Sequence, residues 1–194
     1  EAARRAADTQ SRARAPHGGQ GALGQEVREG VSLQLRPPEP LSASHRLDDF
    51  DCGEAALDDW LKRRALANQS SGASRTFVVT DQDGHVCGYY ALAAGAVSHR
   101  LATSGARRNM PDPIPVMVLA RLAVDRRAQG QHLGASLLQD AVNRAVAVAQ
   151  NAGVRALLVH ALHEKARQFY EHYGFQPSPT HPLTLMLRLS SVKA

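Results

Sequence analysis

The stretch LARLAVDRRAQGQHLGASLLQDAVNRA, residues 119–145, decides the fold of this chain. An apolar run ends at Val124 and Asp125, a short polar turn follows, and an alanine- and leucine-rich segment with helical spacing comes next. A strand, a turn and a helix in this order point backbone N–H groups at one spot, where the helix dipole adds roughly half a positive charge. The stretch therefore predicts a phosphate-binding turn at 129–134, although His132 stands where a glycine would fit best.

The turn QGQHLG matches neither of two common phosphate-binding signatures. It lacks the GxxxxGK[ST] of a P-loop and the GxGxxG of a dinucleotide site. From this turn alone two interpretations stay open: a pyrophosphate cradle that needs no metal, and an ordinary glycine-containing turn into a helix.

The composition describes a basic chain of one domain. Its 194 residues favour one domain with a sizeable core, and its formal net charge of +5 favours an acidic partner. No apolar run approaches the roughly 20 residues of a membrane span, and no secretory signal opens the chain. Cys52 and Cys87 lack CxxC spacing, which is typical of small apolar side chains in a cytoplasmic protein.

Residues 1–30 differ in composition from the rest of the chain. They contain almost no β-branched or aromatic residues and show no sustained periodicity, so we predict a disordered leader. Val31 is a candidate for a start encoded by GUG, in which case the leader is upstream or expression-derived sequence. The remainder, residues 31–194, is predicted to be a single domain.

The pattern of apolar residues predicts an α/β fold with a mixed sheet. Apolar runs predict strands at 31–35, 75–80, 87–97, 114–124, 155–162 and 182–189. Helical spacing predicts helices at 53–69, 134–150 and 164–174, with Gly153 and Gly174 ending the last two. A long loop, 98–113, separates the two central strands.

The predicted helix EKARQFYEHYG, residues 164–174, carries aromatic side chains on adjoining faces. Tyr170 lies four residues after Ala166, and Tyr173 lies four residues after Phe169. Core packing is one interpretation. The other is that a phenol, with a pKa of about 10, protonates a leaving group of comparable basicity.

The turn and the aromatic helix together resemble the GNAT superfamily of acetyl-CoA-dependent N-acetyltransferases. The turn of that family reads Q/R-x-x-G-x-G/A. With the helix starting just after it, Gln129 and Gly134 fit and His132 replaces the middle glycine. A second register begins at Arg127 and matches Gly130, but it places His132 where Gly or Ala belongs. The resemblance implies a mixed, twisted sheet flanked by helices.

Four further segments narrow the resemblance to bacterial GNAT toxins of toxin–antitoxin pairs, and within these to the TacT type. The segments lie at 38–69, 73–79, 107–125 and 159–175, and the resemblance covers residues 38–189. Toxins of this type acetylate the α-amine of aminoacyl-tRNA and so block translation. The resemblance implies acetyl-CoA as donor without a metal, a homodimer, and a ribbon-helix-helix antitoxin whose C-terminal segment covers the toxin.

The resemblance also implies roles for individual residues. Tyr170 is the implied catalytic acid, and the pair Arg107 and Arg108 is implied to contact tRNA. The implied contacts to acetyl-CoA are those of the central strand end, the turn and the aromatic helix, namely Leu122, Ala123, Val124, Gln129, Gly130, Gln131, His132, Leu133, Gly134, Ala135 and Phe169.

The remaining basic residues have two readings. Lys62 and Arg63 follow acids at i−4, so they form either a solvated helix face or, with Arg75, further contacts to tRNA. Arg107 and Arg108 have no acid nearby in the sequence except Asp112, which favours contact with phosphates.

The sequence offers no evident base for the attacking amine. An α-amine with a pKa of about 7.7 is neutral in roughly a sixth of molecules at pH 7, against about one in 2,500 for a lysine. A missing base therefore favours an α-amine substrate. Two alternatives stay open: a GNAT enzyme for a polyamine or a protein N-terminus, and a non-catalytic binding domain whose cofactor turn is spoiled by His132. His160 and His163 lack a third ligand, so no metal site is predicted.

Overall fold

The computed structural model describes residues 34–192. The predicted leader and residues 31–33 of the first predicted strand lie outside this range. Gln34 and Leu35, the described end of that strand, are irregular, so the strand prediction is wrong there. No helix within the described range is long and apolar enough to cross a membrane.

One mixed sheet organises the described residues, with strands in the order β1-β2-β3-β4-β5-β7-β6. The strands are β1 (Glu39–Pro40), β2 (Arg75–Thr80), β3 (Val86–Val97), β4 (Ile114–Val124), β5 (Ala156–His160), β6 (Gln176–Pro177) and β7 (Thr184–Arg188). The β4–β5 pair is parallel and the other pairs are antiparallel. The predicted strands 75–80 and 114–124 are confirmed with their bounds.

Helices cover both faces of the sheet. They are α1 (Ala55–Arg63), α2 (Ala65–Ser71), α3 (Ser104–Arg107), α4 (Leu133–Ala149) and α5 (Glu164–His172), with short 3-10 turns at Arg126–Ala128 and Leu189–Ser191. The helix α4 packs against one face because its apolar residues recur at helical spacing, with Leu137, Leu138, Ala141 and Ala145 buried. On the other face, α1 buries Leu57 and Leu61.

Three predictions about helices need correction. The predicted helix 53–69 is broken at Arg64, whose φ of −123° is not helical, so it forms α1 and α2. The predicted loop 98–113 contains α3, whose first turn is capped by the Thr103 side chain. Gly153 does not cap α4, because the cap residue of that helix is Gln150 in right-handed conformation. Gly174 does end α5 as predicted: it follows the cap residue Tyr173 and has a φ of 86°.

The strands β4 and β5 separate at one end of the sheet. They pair only from Val116 with Ala156 to Leu119 with Val159, although β4 continues to Val124. The register between β3 and β4 shifts beside Ala120, which is a bulge that bends β4 at this point. The divergence leaves an opening in the sheet between the end of β4 and the end of β5.

Candidate active site

The end of β4 presents unpaired backbone groups to this opening. The Asp125 N–H donates to Cys87 O on β3 (2.9 Å), and Ala123 lies opposite Tyr89. Because backbone groups alternate in direction along a strand, the N–H of Ala123 faces β3, whereas those of Leu122 and Val124 face the opening. An extended ligand can pair with these two positions like an added strand.

The turn after β4 forms a row of free amides at the start of α4. The N–H groups from Gly130 to Ala135 make no hydrogen bond of good geometry to any residue between 34 and 192. Gly130 has a φ of 78° and His132 a φ of 60°, so the chain turns twice through the left-handed region before α4 begins at Leu133. This geometry suits a pyrophosphate, which needs several donors and benefits from the helix dipole.

Asp125 fixes this turn to the segment before α1, a role that sequence analysis missed. Its carboxylate accepts from the Arg127 guanidinium (2.8 Å) and from the Asp51 N–H (3.1 Å). Burial alone would raise the pKa of Asp125, but these hydrogen bonds outweigh it and hold the pKa below its usual value. Nearby, the Gln129 amide donates to Cys52 O and Val124 O, which ties the turn to both neighbours.

The left-handed conformation of His132 leads to a testable expectation. His132→Gly should preserve or tighten acetyl-CoA binding, because the residue contributes its N–H and glycine adopts this φ without steric cost. By contrast, His132→Val should lower the thermal midpoint, since a β-branched residue is strained at φ of 60°. Calorimetric titration and thermal unfolding measure both effects. Complete loss of binding in His132→Gly would instead make the imidazole itself a ligand.

The helix α5 places Tyr170 beside the opening. The His163 Nδ1 accepts from the Ala166 N–H (3.1 Å), which caps the start of the helix. Tyr170 is only 6% exposed and packs against the rings of Phe169 and Phe175 at 5.2 and 5.5 Å between centroids. Burial raises the pKa of Tyr170, so its phenol is protonated at neutral pH. Its hydroxyl has no hydrogen-bond partner among the described residues and is free to donate a proton.

A carboxylate–histidine pair lies in this region: Glu54 Oε1 is 3.6 Å from His163 Nε2, and both residues line one cleft with Tyr170. Glu171 follows Tyr170 in the helix, but its carboxylate accepts from the Arg167 guanidinium at 3.1 Å. The sequence analysis found no such pair, because Glu54 and His163 lie far apart in the chain, and the fold brings them together in the cleft that Tyr170 lines.

Two cavities meet at Tyr170. The first, the β4 cleft, has a volume of about 500 Å³ and is walled by the end of β4, the turn and α5, including Val124, Gly134 and Phe169. The second, the α1 cavity, measures about 310 Å³ and is walled by α1, the β4 bulge and the end of β5. Leu122 and Tyr170 belong to both. Molecules that enter from the two sides can therefore meet at the phenol.

The structure brings together most of the predicted contacts to acetyl-CoA. A Cβ on Gly134 would lie 3.9 Å from the Phe169 ring, so the turn and α5 face each other across the β4 cleft. The side chain of Leu133 is buried in the core, so only its N–H faces the turn. Gln131 is exposed and donates weakly to Arg127 O at 3.4 Å.

The predicted tRNA contacts lie outside this site. Arg63 pairs with Asp59 at 3.5 Å on the exposed side of α1, where Lys62 is exposed too. Arg75 is exposed at the start of β2 and donates to Gln69 O. Arg107 and Arg108, at the end of α3, lie near the start of β5, roughly 15 Å along that strand from the opening at about 3.3 Å per residue.

Arg155 holds the segment that carries this arginine pair, and no sequence pattern predicted its role. Its guanidinium donates to Ala106 O (3.1 Å), Gly105 O (3.2 Å) and Arg108 O (3.3 Å). Neither Arg107 nor Arg108 forms an ion pair within residues 34–192, and Asp112 accepts from the His99 N–H. The pair therefore stands on a braced segment with its charge uncompensated.

The two histidines considered for metal binding serve other purposes. His160 Nδ1 lies 2.9 Å from the Thr184 hydroxyl, and His163 caps α5. In the described range, three possible metal ligands cluster only at Asp81, Asp83 and His85, on the exposed turn between β2 and β3. The Asp81 carboxylate already accepts from two N–H groups of that turn.

A split mixed sheet, a row of free amides and a buried tyrosine between two cavities are the features of an acetyltransferase. The Acetyltransferase (GNAT) domain family matches residues 73–177, and the chain belongs to this family. It is 53% identical over 157 residues to the tRNA-acetylating toxin of Mycobacterium tuberculosis, an alignment that covers 81% of this chain and 94% of the relative.

Solved structures of toxins share the fold. The structure of AtaT complexed with acetyl-methionyl-tRNAfMet has a TM-score of 0.75 and 31% identity, covering 81% of this chain and 96% of AtaT. The structure of a mutant AtaT bound to the C-terminus of the antitoxin AtaR and acetyl-CoA has a TM-score of 0.70 and 30% identity. The match covers 81% of this chain and 94% of the mutant AtaT.

Proposed function

We propose that this protein is a toxin that transfers an acetyl group from acetyl-CoA to the α-amine of aminoacyl-tRNA and so blocks translation. The observation that carries the proposal is the position of Tyr170 between the β4 cleft and the α1 cavity. The identity to a tRNA-acetylating toxin and the likeness to a toxin bound to acetyl-methionyl-tRNAfMet support this choice of acceptor.

The residues of the β4 cleft fit acetyl-CoA. The amides from Gly130 to Ala135 would hold the pyrophosphate, and the backbone of Leu122 and Val124 would pair with the pantetheine arm. When bound, acetyl-CoA supplies the thioester carbonyl that the amine attacks. The N–C bond would form as the C–S bond breaks, Tyr170 would donate its proton to the departing sulfur, and the proton lost by the amine nitrogen would return to the phenolate through solvent. The row of amides is continuous through His132, which favours a catalytic domain over a non-catalytic one.

The acceptor amine reaches the thioester from the α1 cavity. A lysine-like amine, with a pKa of about 10.4, must be deprotonated by a base before it can attack. An α-amine, with a pKa of about 7.7, has a substantial neutral fraction without such help. An aminoacyl ester therefore depends less than a lysine on help from the Glu54–His163 pair, which supports it as acceptor.

The proposal extends to the partners of the protein. The uncompensated pair Arg107 and Arg108 would bind the phosphates of tRNA, with Lys62, Arg63 and Arg75 as additional contacts. A toxin of this kind would act in the cytoplasm as a homodimer and be neutralised by a ribbon-helix-helix antitoxin. The complex of AtaT with the C-terminus of AtaR supports neutralisation by an antitoxin.

Radiolabelled acetyl-CoA provides the direct test. We expect label to appear on aminoacyl-tRNA and to be absent from deacylated tRNA, because the latter has no amine at its 3′ end. Spermidine and a peptide with a free N-terminus serve as competing acceptors in parallel reactions. Label on these two amines alone would reject the tRNA proposal in favour of an enzyme for small or peptide amines. Lack of acetyl-CoA binding would reject catalysis altogether.

A further inference from the structure

Arg121 is a charged residue inside an otherwise apolar strand. It lies one residue after the bulge at Ala120, and it forms part of the wall of the α1 cavity with Leu57 and Tyr170. Its guanidinium lies 5.5 Å from the centre of the Trp60 ring, and it donates to Ala120 O at 2.6 Å. The residue is half-buried. The wall of this cavity therefore carries a positive charge in a fixed place.

The surroundings of Arg121 are rigid. Trp60 stacks on Tyr89 with ring centres 5.9 Å apart, and the Tyr89 hydroxyl donates to Leu57 O at 2.8 Å. Phe50 also packs against Tyr89, edge to face at 5.5 Å between ring centres. The Trp60 ring therefore provides a preorganised surface on which the Arg121 guanidinium rests.

The charge of Arg121 has no counterpart within residues 34–192. No carboxylate forms an ion pair with it, whereas Arg126 and Arg127, just along the chain, pair with Asp51 and Asp125. Only one of the five N–H donors of its guanidinium is used by the described residues. The guanidinium therefore has free donors and no anionic partner, and a ligand anion would form charge-assisted hydrogen bonds with it.

The proposed acceptor limits the anions that Arg121 can bind. An aminoacyl ester, its ribose and its adenine carry no negative charge. The anion nearest to the α-amine is the phosphodiester on the 5′ side of the terminal adenosine. The phosphates of acetyl-CoA are assigned to the turn from Gly130 to Ala135, on the side of the β4 cleft. Resting on the proposed function, we propose that Arg121 binds this terminal phosphodiester and so sets the depth at which the amine enters the α1 cavity.

Two small acceptors that differ by one charge test the proposal. The first is a 2′(3′)-O-aminoacyl-adenosine, and the second is the same ester with a 5′-methyl phosphodiester. For the wild-type protein, the phosphodiester should raise kcat/KM by about tenfold or more, as expected for a charge-assisted contact. Arg121→Gln should abolish this gain, so that the variant acetylates the two esters with equal kcat/KM. Arg121→Lys should retain part of the gain, because it keeps the charge.

The matched control is Arg36→Gln, which removes one charge from an exposed position where the guanidinium contacts Gln82 O. It should behave as the wild type on both esters. The subsite is rejected if the phosphodiester gives the wild type no gain, if the gain survives in Arg121→Gln, or if that variant loses equal activity on both esters. Failure of the wild type to acetylate any aminoacyl-tRNA would reject the proposed function as well, so the two failures are distinguishable.

Discussion

Replacing Tyr170 by phenylalanine should lower the turnover of aminoacyl-tRNA acetylation by about a hundredfold or more, the usual contribution of a general acid. The affinity for acetyl-CoA should stay within about twofold, because the substitution leaves the ring and its contacts with Phe169 and Phe175 in place. The hydroxyl is the only part removed, and it has no partner among the described residues. Single-turnover kinetics and calorimetric titration measure the two quantities separately.

Tyr173→Phe is the matched control for this experiment. Tyr173 lies in the next turn, packs on Phe169 at 5.1 Å and is 41% exposed, so its hydroxyl is not confined to the junction of the two cavities. We expect its turnover to remain near that of the wild type. Unchanged turnover in Tyr170→Phe would exclude the phenol as the acid. An equal loss in both variants would point to packing of α5 instead.

The elements with strong periodicity could be predicted from the sequence, and those set by tertiary contacts could not. The helix α4 follows from the spacing of Leu137, Leu138 and Ala141, and β4 from its continuous apolar run. The break at Arg64 leaves the apolar pattern intact, so periodicity cannot reveal it. The edge strand Glu39–Pro40 is two residues long and contains a proline, a combination that sequence patterns assign to turns.

The candidate site shows the same division. The turn and Tyr170 occupy positions that a family motif fixes, so the resemblance supplied them in advance. Asp125 and Arg155 act through hydrogen bonds to residues 74 and 49 positions away, for which one sequence carries no signal. Arg121 did leave a signal, a single charge within an apolar strand, but its meaning depends on the separation of β4 and β5.

Replacing both Arg107 and Arg108 by alanine should lower the affinity for tRNA and leave the rate of the chemical step unchanged. This is the second-largest effect that we expect. The pair is uncompensated, is braced by Arg155 and lies far from Tyr170. Each phosphate contact adds about one unit to the slope of log affinity against log salt concentration. Loss of two contacts should therefore weaken tRNA binding by about tenfold to a hundredfold at roughly 0.1 M salt, with the difference vanishing near 1 M.

The controls for this variant separate specific contacts from net charge. Arg36→Ala with Arg46→Ala removes the same two charges from exposed positions before α1 and should leave tRNA affinity almost unchanged. An aminoacyl-adenosine, which lacks the body of tRNA, should be acetylated equally by the wild type and the Arg107/Arg108 variant. If both double variants weaken tRNA binding to the same extent, general attraction by a basic protein explains the binding. A lower salt slope in the Arg107/Arg108 variant alone indicates that this pair contacts phosphates directly. Each contact to a phosphate releases counterions on binding, so the loss of a contact lowers the slope.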